Sequence, residues 1–367
     1  MPDRRVLLFP SQQLVDNTII QCLAFRGIEG CIPFLHGSQG CATYIRRYLI
    51  SHFREPVDIA SSNFHEESAI FGGSSNFKQG ISNVLRQYQP ELIGIATTCL
   101  AETIGEDMAR LTLDYHQAHG PAPLVHVSTA SYRGTHVDGF HSAVRALIAQ
   151  LAVAGSPGNH ITIFPGMVSA ADLRYIKEIC AAFGLPLVLM PDYSDTMDGA
   201  TWSQYEKIQE GGTSLSAIAT TGSSRASIEF GLSTAGVLLA EKFNVPRYHL
   251  PIPIGIVATD NLFEILKTLS GLPLPQVYAG ERGRLLDSYV DGHKYVFEKR
   301  AIVFGEEDLV MGITDFLNEI GVTPVLSACG NKGWDFAKIA EAAPDLKPDF
   351  LIGNSKGYKI ARALNIP

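Results

Sequence analysis

In the stretch CIPFLHGSQGCATYIRRYLISHFREP, Cys31 to Pro56, one cysteine, Cys41, stands directly behind a Gly-Ser-Gln-Gly turn and directly ahead of a long amphipathic run. A second, Cys99, occupies a comparable corner, where LIGIATTC passes from an apolar strand into LAETIGEDMARLTLDYH. At such corners free backbone N–H groups and the positive helix end stabilise a thiolate. Thiolates bind soft metals and iron–sulfur clusters. Gly37 and Gly40 let the backbone turn tightly and approach something bulky, and His36, Ser38 and Gln39 supply polar groups near it. A four-iron cluster normally takes four protein ligands, so two cysteines are half a set and a partner subunit would have to supply the rest. Read from the residues alone, Cys41 and Cys99 are either a shared metal site or two small buried side chains.

The other chemistry-bearing residues are weaker. Six cysteines (Cys22, Cys31, Cys41, Cys99, Cys180, Cys329) are scattered without C-x-x-C pairs, which argues against disulfides and zinc ribbons. Cys22 sits in an apolar helix and Cys180 on a core-facing stripe, so both read as core; Cys329, after a strand, has a fainter claim of the kind made for Cys41. No histidines have H-x-x-x-H spacing, and no phosphate loop of the G-x-x-x-x-G-K-[ST] type is present, so ATP-coupled electron delivery would need a separate protein. Glu102, Glu106 and Asp107 read as helix N-terminal charges rather than acid–base groups. In RRYLISHFREP the cations Arg46, Arg47 and Arg54 are either a salt-bridged face or a positive field near an anionic group or partner. The charge-dense run GERGRLLDSYVDGHKYV reads as a buried Arg–Asp network at a subunit interface.

The elements that must position these residues follow from periodicity. Short, nearly continuous apolar runs recur: VDIASS (57–62), LIGIATT (92–98), PLVHVST (123–129), HITIFP (160–165), PLVLMP (186–191), LSAIATT (215–221), AIVFG (301–305), TPVLSA (323–328) and DFLIGN (349–354). Strands buried on both faces of a parallel sheet read this way. Between them lie helical patterns ending in glycine, such as 170–184 and 306–321. The fold class is therefore α/β, with three Rossmann-like modules of parallel, doubly wound sheet. Breaks at AGSPGNH (154–160) and near SGLPLPQVYAGERGR (270–284) divide the chain into 1–154, 155–272 and 273–367. After the last strand and helix comes only IP, where a parallel module would continue, so the third module is small or incomplete.

At 367 residues, two or three domains are expected. With 46% apolar and 18% charged residues, and no apolar run near the roughly 20 residues that span a bilayer, no membrane span is expected. The N-terminal MPDRRVLLFPSQQ reads as a first strand without signal-peptide features, and a cytoplasmic protein is expected. A net charge of −8 without a basic stripe argues against nucleic acid.

The motifs HGSQGC, HFREP, FGGSSNFKQGI, ATTCLAETIGED, PDYSDTMDG, GERGRLLDSYVDGHKYVF and DFLIGNSKGYKIA together resemble the nitrogenase component 1 superfamily, and within it the β-type subunits, from about residue 22 to the end. FPGMVSAADLRYIKEICAAFGLPLVLMPDYSDTMDG resembles the cofactor-assembly scaffold more than the catalytic β chain. The resemblance implies an α-type partner in an α2β2 heterotetramer, an iron–sulfur cluster at the αβ interface and a transient, ATP-dependent iron protein as electron donor. It implies Cys41 and Cys99 as metal ligands, with His36 and Gln39 beside the cluster, and aligns Ser131 with the serine that can bind the eight-iron cluster of catalytic β chains. The large cofactor or its precursor belongs to the partner. The family's further cysteine, about 25 residues before the HGSQGC cysteine, corresponds here to Asp16, which favours a [4Fe-4S]-like cluster over an eight-iron one. The alternative that the resemblance leaves is the β subunit of a nitrogenase or nitrogenase-like reductase, such as a methylthio-alkane reductase.

Overall fold

The computed structural model describes residues 17–367 apart from 131, 133, 202, 203 and 205. Three all-parallel sheets organise them. The first contains β1 (Cys31–His36), β2 (Ala60–Ser61), β3 (Leu92–Thr97) and β4 (Leu124–Val127), in the order β2-β1-β3-β4. The second contains β5 (Ile161–Phe164), β6 (Leu187–Leu189), β7 (Ala226–Phe230) and β8 (Arg247–Leu250), in the order β6-β5-β7-β8. The third, of β9 (Arg300–Gly305), β10 (Thr323–Cys329) and β11 (Phe350–Ile352), has the order β10-β9-β11. The central strands β1, β3, β5 and β7 are buried along their whole length, as strands covered on both faces of a parallel sheet are.

In the first two sheets the chain winds one way from the first strand and then crosses back, so each has a topological switch point: between β1 and β3, and between β5 and β7. Ligands of open α/β sheets gather beyond the carboxyl ends of the strands at such points.

One continuous core joins these two sheets, running from Cys22 and Phe25 of the helix Asn17–Arg26 and Ile28 just past it through Phe140, Phe164 and Phe230 to Tyr278. The third sheet has its own two smaller clusters, one around Val303 and Leu317, the other around Phe304 and Ile339. All three regions meet at Asp308. Its carboxylate bonds His141 Nε2 at 3.1 Å and accepts the Leu232 N–H at 2.6 Å. Gly231, at φ +61°, admits it, since a Cβ there would lie 2.3 Å from Oδ1.

The pattern misassigned two places and passed over the half-exposed edge strand β8. LSAIATT, expected as a strand, forms the helix Leu215–Thr220, because the Ser214 side chain caps it by accepting the Ala217 N–H and only Ile218 is buried. The strand of that region is ASIEF, β7, concealed by Glu229, a fully buried carboxylate paired with Arg247 on β8. LAETIGEDMARLTLDYH, expected as one helix, is two: Cys99–Thr103 and Met108–His119. Gly105, at φ +78°, turns the chain between them, and Asp107 caps the second by accepting the Arg110 N–H. The N-terminal stretch expected as a strand lies outside the described residues. Among those described, no helix is long and apolar enough to cross a membrane.

Candidate metal centre

Strands β1 and β3 run side by side in register, His36 opposite Thr97, so the loops that leave them are neighbours at the first switch point. The loops are fastened to each other. The Thr98 N–H donates to the His36 carbonyl at 3.1 Å and the Thr98 hydroxyl to the same oxygen at 3.3 Å. Gly37 packs face to face with Thr98: a Cβ at position 37 would lie 2.0 Å from Oγ1 and 2.5 Å from Cγ2. The Gly37 N–H is taken by Ser62 Oγ at 2.9 Å. Gly37 is thus required by protein–protein packing, whereas Gly40 has only Ser38 Oγ near its open face, at 3.8 Å.

From this seam the helices carrying the thiols depart. Cys41 is the third residue of the helix Gln39–Phe53, whose N-cap is Ser38. Cys99 is the first residue of Cys99–Thr103. The Ser38 hydroxyl donates to Cys41 Sγ at 3.5 Å. Both thiols are partly exposed, and the other four cysteines are buried. Burial pushes the Cys31 and Cys180 thiols up to about 12, the opposite of what a thiolate ligand needs.

Carboxylates brace the corner. Glu102 Oε1 accepts hydrogen bonds from Thr97 Oγ1 at 2.5 Å and Ser128 Oγ at 2.6 Å, tying the Cys99 helix to the ends of β3 and β4. Glu106 accepts the Gly73 N–H at 2.6 Å and lies 3.4 Å from His36 Nε2. The His36 bond, then the Gly73 N–H, hold the Glu106 carboxyl below its ordinary range against the opposing effect of burial. Of the three acidic residues expected as helix N-terminal charges, Asp107 caps Met108–His119 and Glu102 stands in the first turn of Cys99–Thr103, where it also fixes the loops; Glu106 instead lies between the helices and braces His36 and Gly73. No spacing in the sequence marks that role.

The remaining expected residues separate. His36 is fully buried, edge-on to Phe64 and Phe77, so it supports the loop from beneath rather than facing outward. Gln39 is exposed at the start of its helix, beside Ser38. Ser131 and Asp16 lie outside the described residues. Arg46 is engaged locally, donating to the Val57 carbonyl at 2.7 Å and pairing with Asp58. Arg282 pairs in bidentate fashion with Asp260 inside the chain, and both are half-exposed.

Chemically, two thiols at one switch point fit a soft metal or an iron–sulfur cluster. Among the described residues no three His, Cys, Asp or Glu side chains converge closely enough to hold a metal ion. A cluster bound here would therefore need donors beyond this set. Some large apolar side chains are exposed on these segments: Tyr44, one turn from Cys41, is 56% exposed, and Ile70 and Phe71, beside the Gly73 brace, are 74% and 81% exposed, among exposed polar residues such as Gln39, Thr43, Glu66 and Glu67.

A parallel α/β chain with paired cysteine corners at its first switch point matches the nitrogenase component 1 type oxidoreductase model over residues 19–367, and the chain belongs to that family. It is a β-type member. It is 34% identical to the nitrogenase molybdenum-iron protein beta chain of Clostridium pasteurianum, over 93% of this chain and 81% of that one. It is 31% identical to the nitrogenase iron-molybdenum cofactor biosynthesis protein NifN of Nostoc sp., over 100% of this chain and 86% of that one. A solved structure titled nitrogenase Cp1 at pH 6.5 superposes with a TM-score of 0.92 at 31% identity, covering 100% of this chain and 87% of the other.

Proposed function

We propose that this chain is the β-type half of an α2β2 scaffold on which the nitrogenase iron–molybdenum cofactor is assembled, with Cys41 and Cys99 contributing ligands to an iron–sulfur cluster shared with an α-type partner. One observation carries the reading: of the six cysteines, only these two are partly exposed, and they sit on adjacent loops of one switch point. The cluster supplies one-electron transfer when bound. The chain's own residues do the rest. The two thiolates bind, Ser38 donates to Cys41, and His36, Glu102, Glu106 and Thr98 keep the loops in place.

The exposed Ile70 and Phe71, adjacent on the segment that ends at the Gly73 brace, and Tyr44 on the Cys41 helix support a partner subunit covering the corner, since exposed large apolar side chains favour burial at an interface. Asp16 in place of a cysteine supports a [4Fe-4S]-like cluster over an eight-iron one. Ser131, Gln39 and His36 are assigned to the surroundings of the cluster, and an ATP-dependent iron protein to its reduction. The working division of the chain is 1–154, 155–272 and 273–367, and the proposed location is the cytoplasm. A second reading, the β subunit of a nitrogenase or nitrogenase-like reductase, is favoured by the identity to the Clostridium pasteurianum beta chain, which is no lower than that to NifN.

The test is co-expression with the α-type partner, purification without oxygen, and iron analysis with electron paramagnetic resonance. Cys41→Ala and Cys99→Ala should each lower the iron content while the tetramer still forms. Iron unchanged in both variants would sink the cluster assignment. An eight-iron spectrum, or acetylene reduction with iron protein and ATP, would replace the scaffold with the reductase.

A further inference from the structure

The second sheet repeats the winding of the first, and its switch point, between β5 and β7, is a cavity of about 640 Å³. Met167 and Val168, just past β5, and Phe230, the last residue of β7, line it from the strand ends. Ile176 and Phe263 close the sides, and Leu309 reaches in from the third region. The volume is that of a small-molecule site, and the place is where doubly wound sheets hold ligands. The thiol corner lies at the other switch point, so this cavity is independent of the cluster assignment.

The lining defines what it would accept. Most of its charged and polar side chains are already engaged, with one another or with the backbone. Tyr175 donates to Glu281 at 2.5 Å, and Arg282 holds Asp260 through bonds of 2.8, 3.1 and 2.8 Å. Asp172 is held in the Ser169 capping box, and the Thr259 hydroxyl donates to the Gly255 carbonyl at 2.6 Å. With these groups satisfied, the surface left for a ligand is mostly hydrocarbon. Three carboxylates (Asp172, Asp260, Glu281) against one guanidinium (Arg282) make the rim unfavourable to anions.

We propose that the β5/β7 cavity is a binding site for an uncharged, apolar small molecule of one or two rings, and that it discriminates against anions. Because the walls come from the second sheet, from the helices Gly255–Ser270 and Gln276–Val296 and from Leu309 near the start of Glu307–Glu319, occupancy would tie these segments together.

The test titrates the full chain with two fluorescent probes of similar shape, neutral N-phenyl-1-naphthylamine and anionic 1-anilinonaphthalene-8-sulfonate. The expected result is saturable binding of one neutral probe per chain, at least tenfold tighter than the anionic one. Two substitutions that fill the cavity, Ile254→Trp and Leu309→Trp, should each weaken the neutral probe by at least tenfold. Their melting temperatures report folding, and the exposed Leu309 is the safer of the two sites. Glu281→Gln should narrow the preference between the probes. Absence of saturable binding, binding unaltered in a folded Leu309→Trp chain, or equal affinity for both probes would overturn the proposal.

Discussion

Gly37→Ala is the sharpest probe of the corner that carries Cys41 and Cys99. The added methyl would lie 2.0 Å from Thr98 Oγ1, 2.5 Å from Cγ2 and 2.7 Å from Cβ, far inside contact distance. Thr98 cannot swing aside: it is 2% exposed, β-branched, and held by its backbone and hydroxyl bonds to His36. The two loops must therefore separate. Overpacking of a closed interior costs about 1–3 kcal/mol. For a cooperative unit of 150–250 residues, with roughly 2–4 °C lost per kcal/mol, the melting midpoint should fall by about 2–12 °C. The assay is thermal unfolding followed by circular dichroism, with a double-mutant cycle. Thr98→Gly removes all three clashing atoms, so it should restore most of the loss in the Gly37→Ala background although it costs about 1 kcal/mol alone through its lost hydroxyl bond. Gly40→Ala, with nothing nearer than 3.8 Å, is the control and should melt no lower than the unsubstituted chain. A Gly37→Ala chain that melts normally, or a cycle without coupling, would refute the packing of these loops.

Two further outcomes can be checked on the chain alone. Glu106 is held below its ordinary value of 4.5 by His36 and the Gly73 N–H, so its contribution to stability is complete above that value and is lost as pH falls through the lower folded value. Glu106→Gln should lower the midpoint at pH 7 and lose less of it between pH 5 and 3; parallel curves for the two chains would count against the brace. Alkylation with iodoacetamide at pH 8, read by mass spectrometry, should label Cys41 and Cys99 first. Cys31 and Cys180, buried with thiols pushed up to about 12, should react only on unfolding, and early labelling of either would contradict their placement.

The sequence carries the parallel sheets legibly because a strand buried on both faces has to be apolar throughout, and LIGIAT or ITIF allows few other readings. It conceals β7 because a buried Glu229 breaks that rule. The charge is tolerable only through Arg247 on β8 and the Gly236 N–H, partners 18 and 7 residues away that no local window contains. LSAIATT deceives in the opposite direction, where one side-chain cap at Ser214 outweighs β-branched propensity. The thiol corners are visible because a cysteine between a strand and a helix is a local pattern. Their braces are not: Glu106 reaches His36 across 70 positions, and Glu102 reaches Ser128 across 26.

The two switch points share one winding and differ in what lines them, and the difference is set by side chains a few residues past each strand. Beyond β1 and β3 the chain places Gly37, Ser38, Cys41, Thr98 and Cys99, small or polar residues that bring two backbones together and leave thiols at the surface. Beyond β5 and β7 it places Met167, Val168 and Phe230, which hold the walls apart around hydrocarbon. Topology therefore selects where a ligand can sit, and residue size and polarity select its chemistry. On this reasoning, substitutions that fill the second switch point should leave the iron content of the complex unchanged. Loss of cluster on filling the β5/β7 cavity, in a chain that still folds, would mean that the two sites are mechanically coupled through the shared core around Phe140 and Phe164.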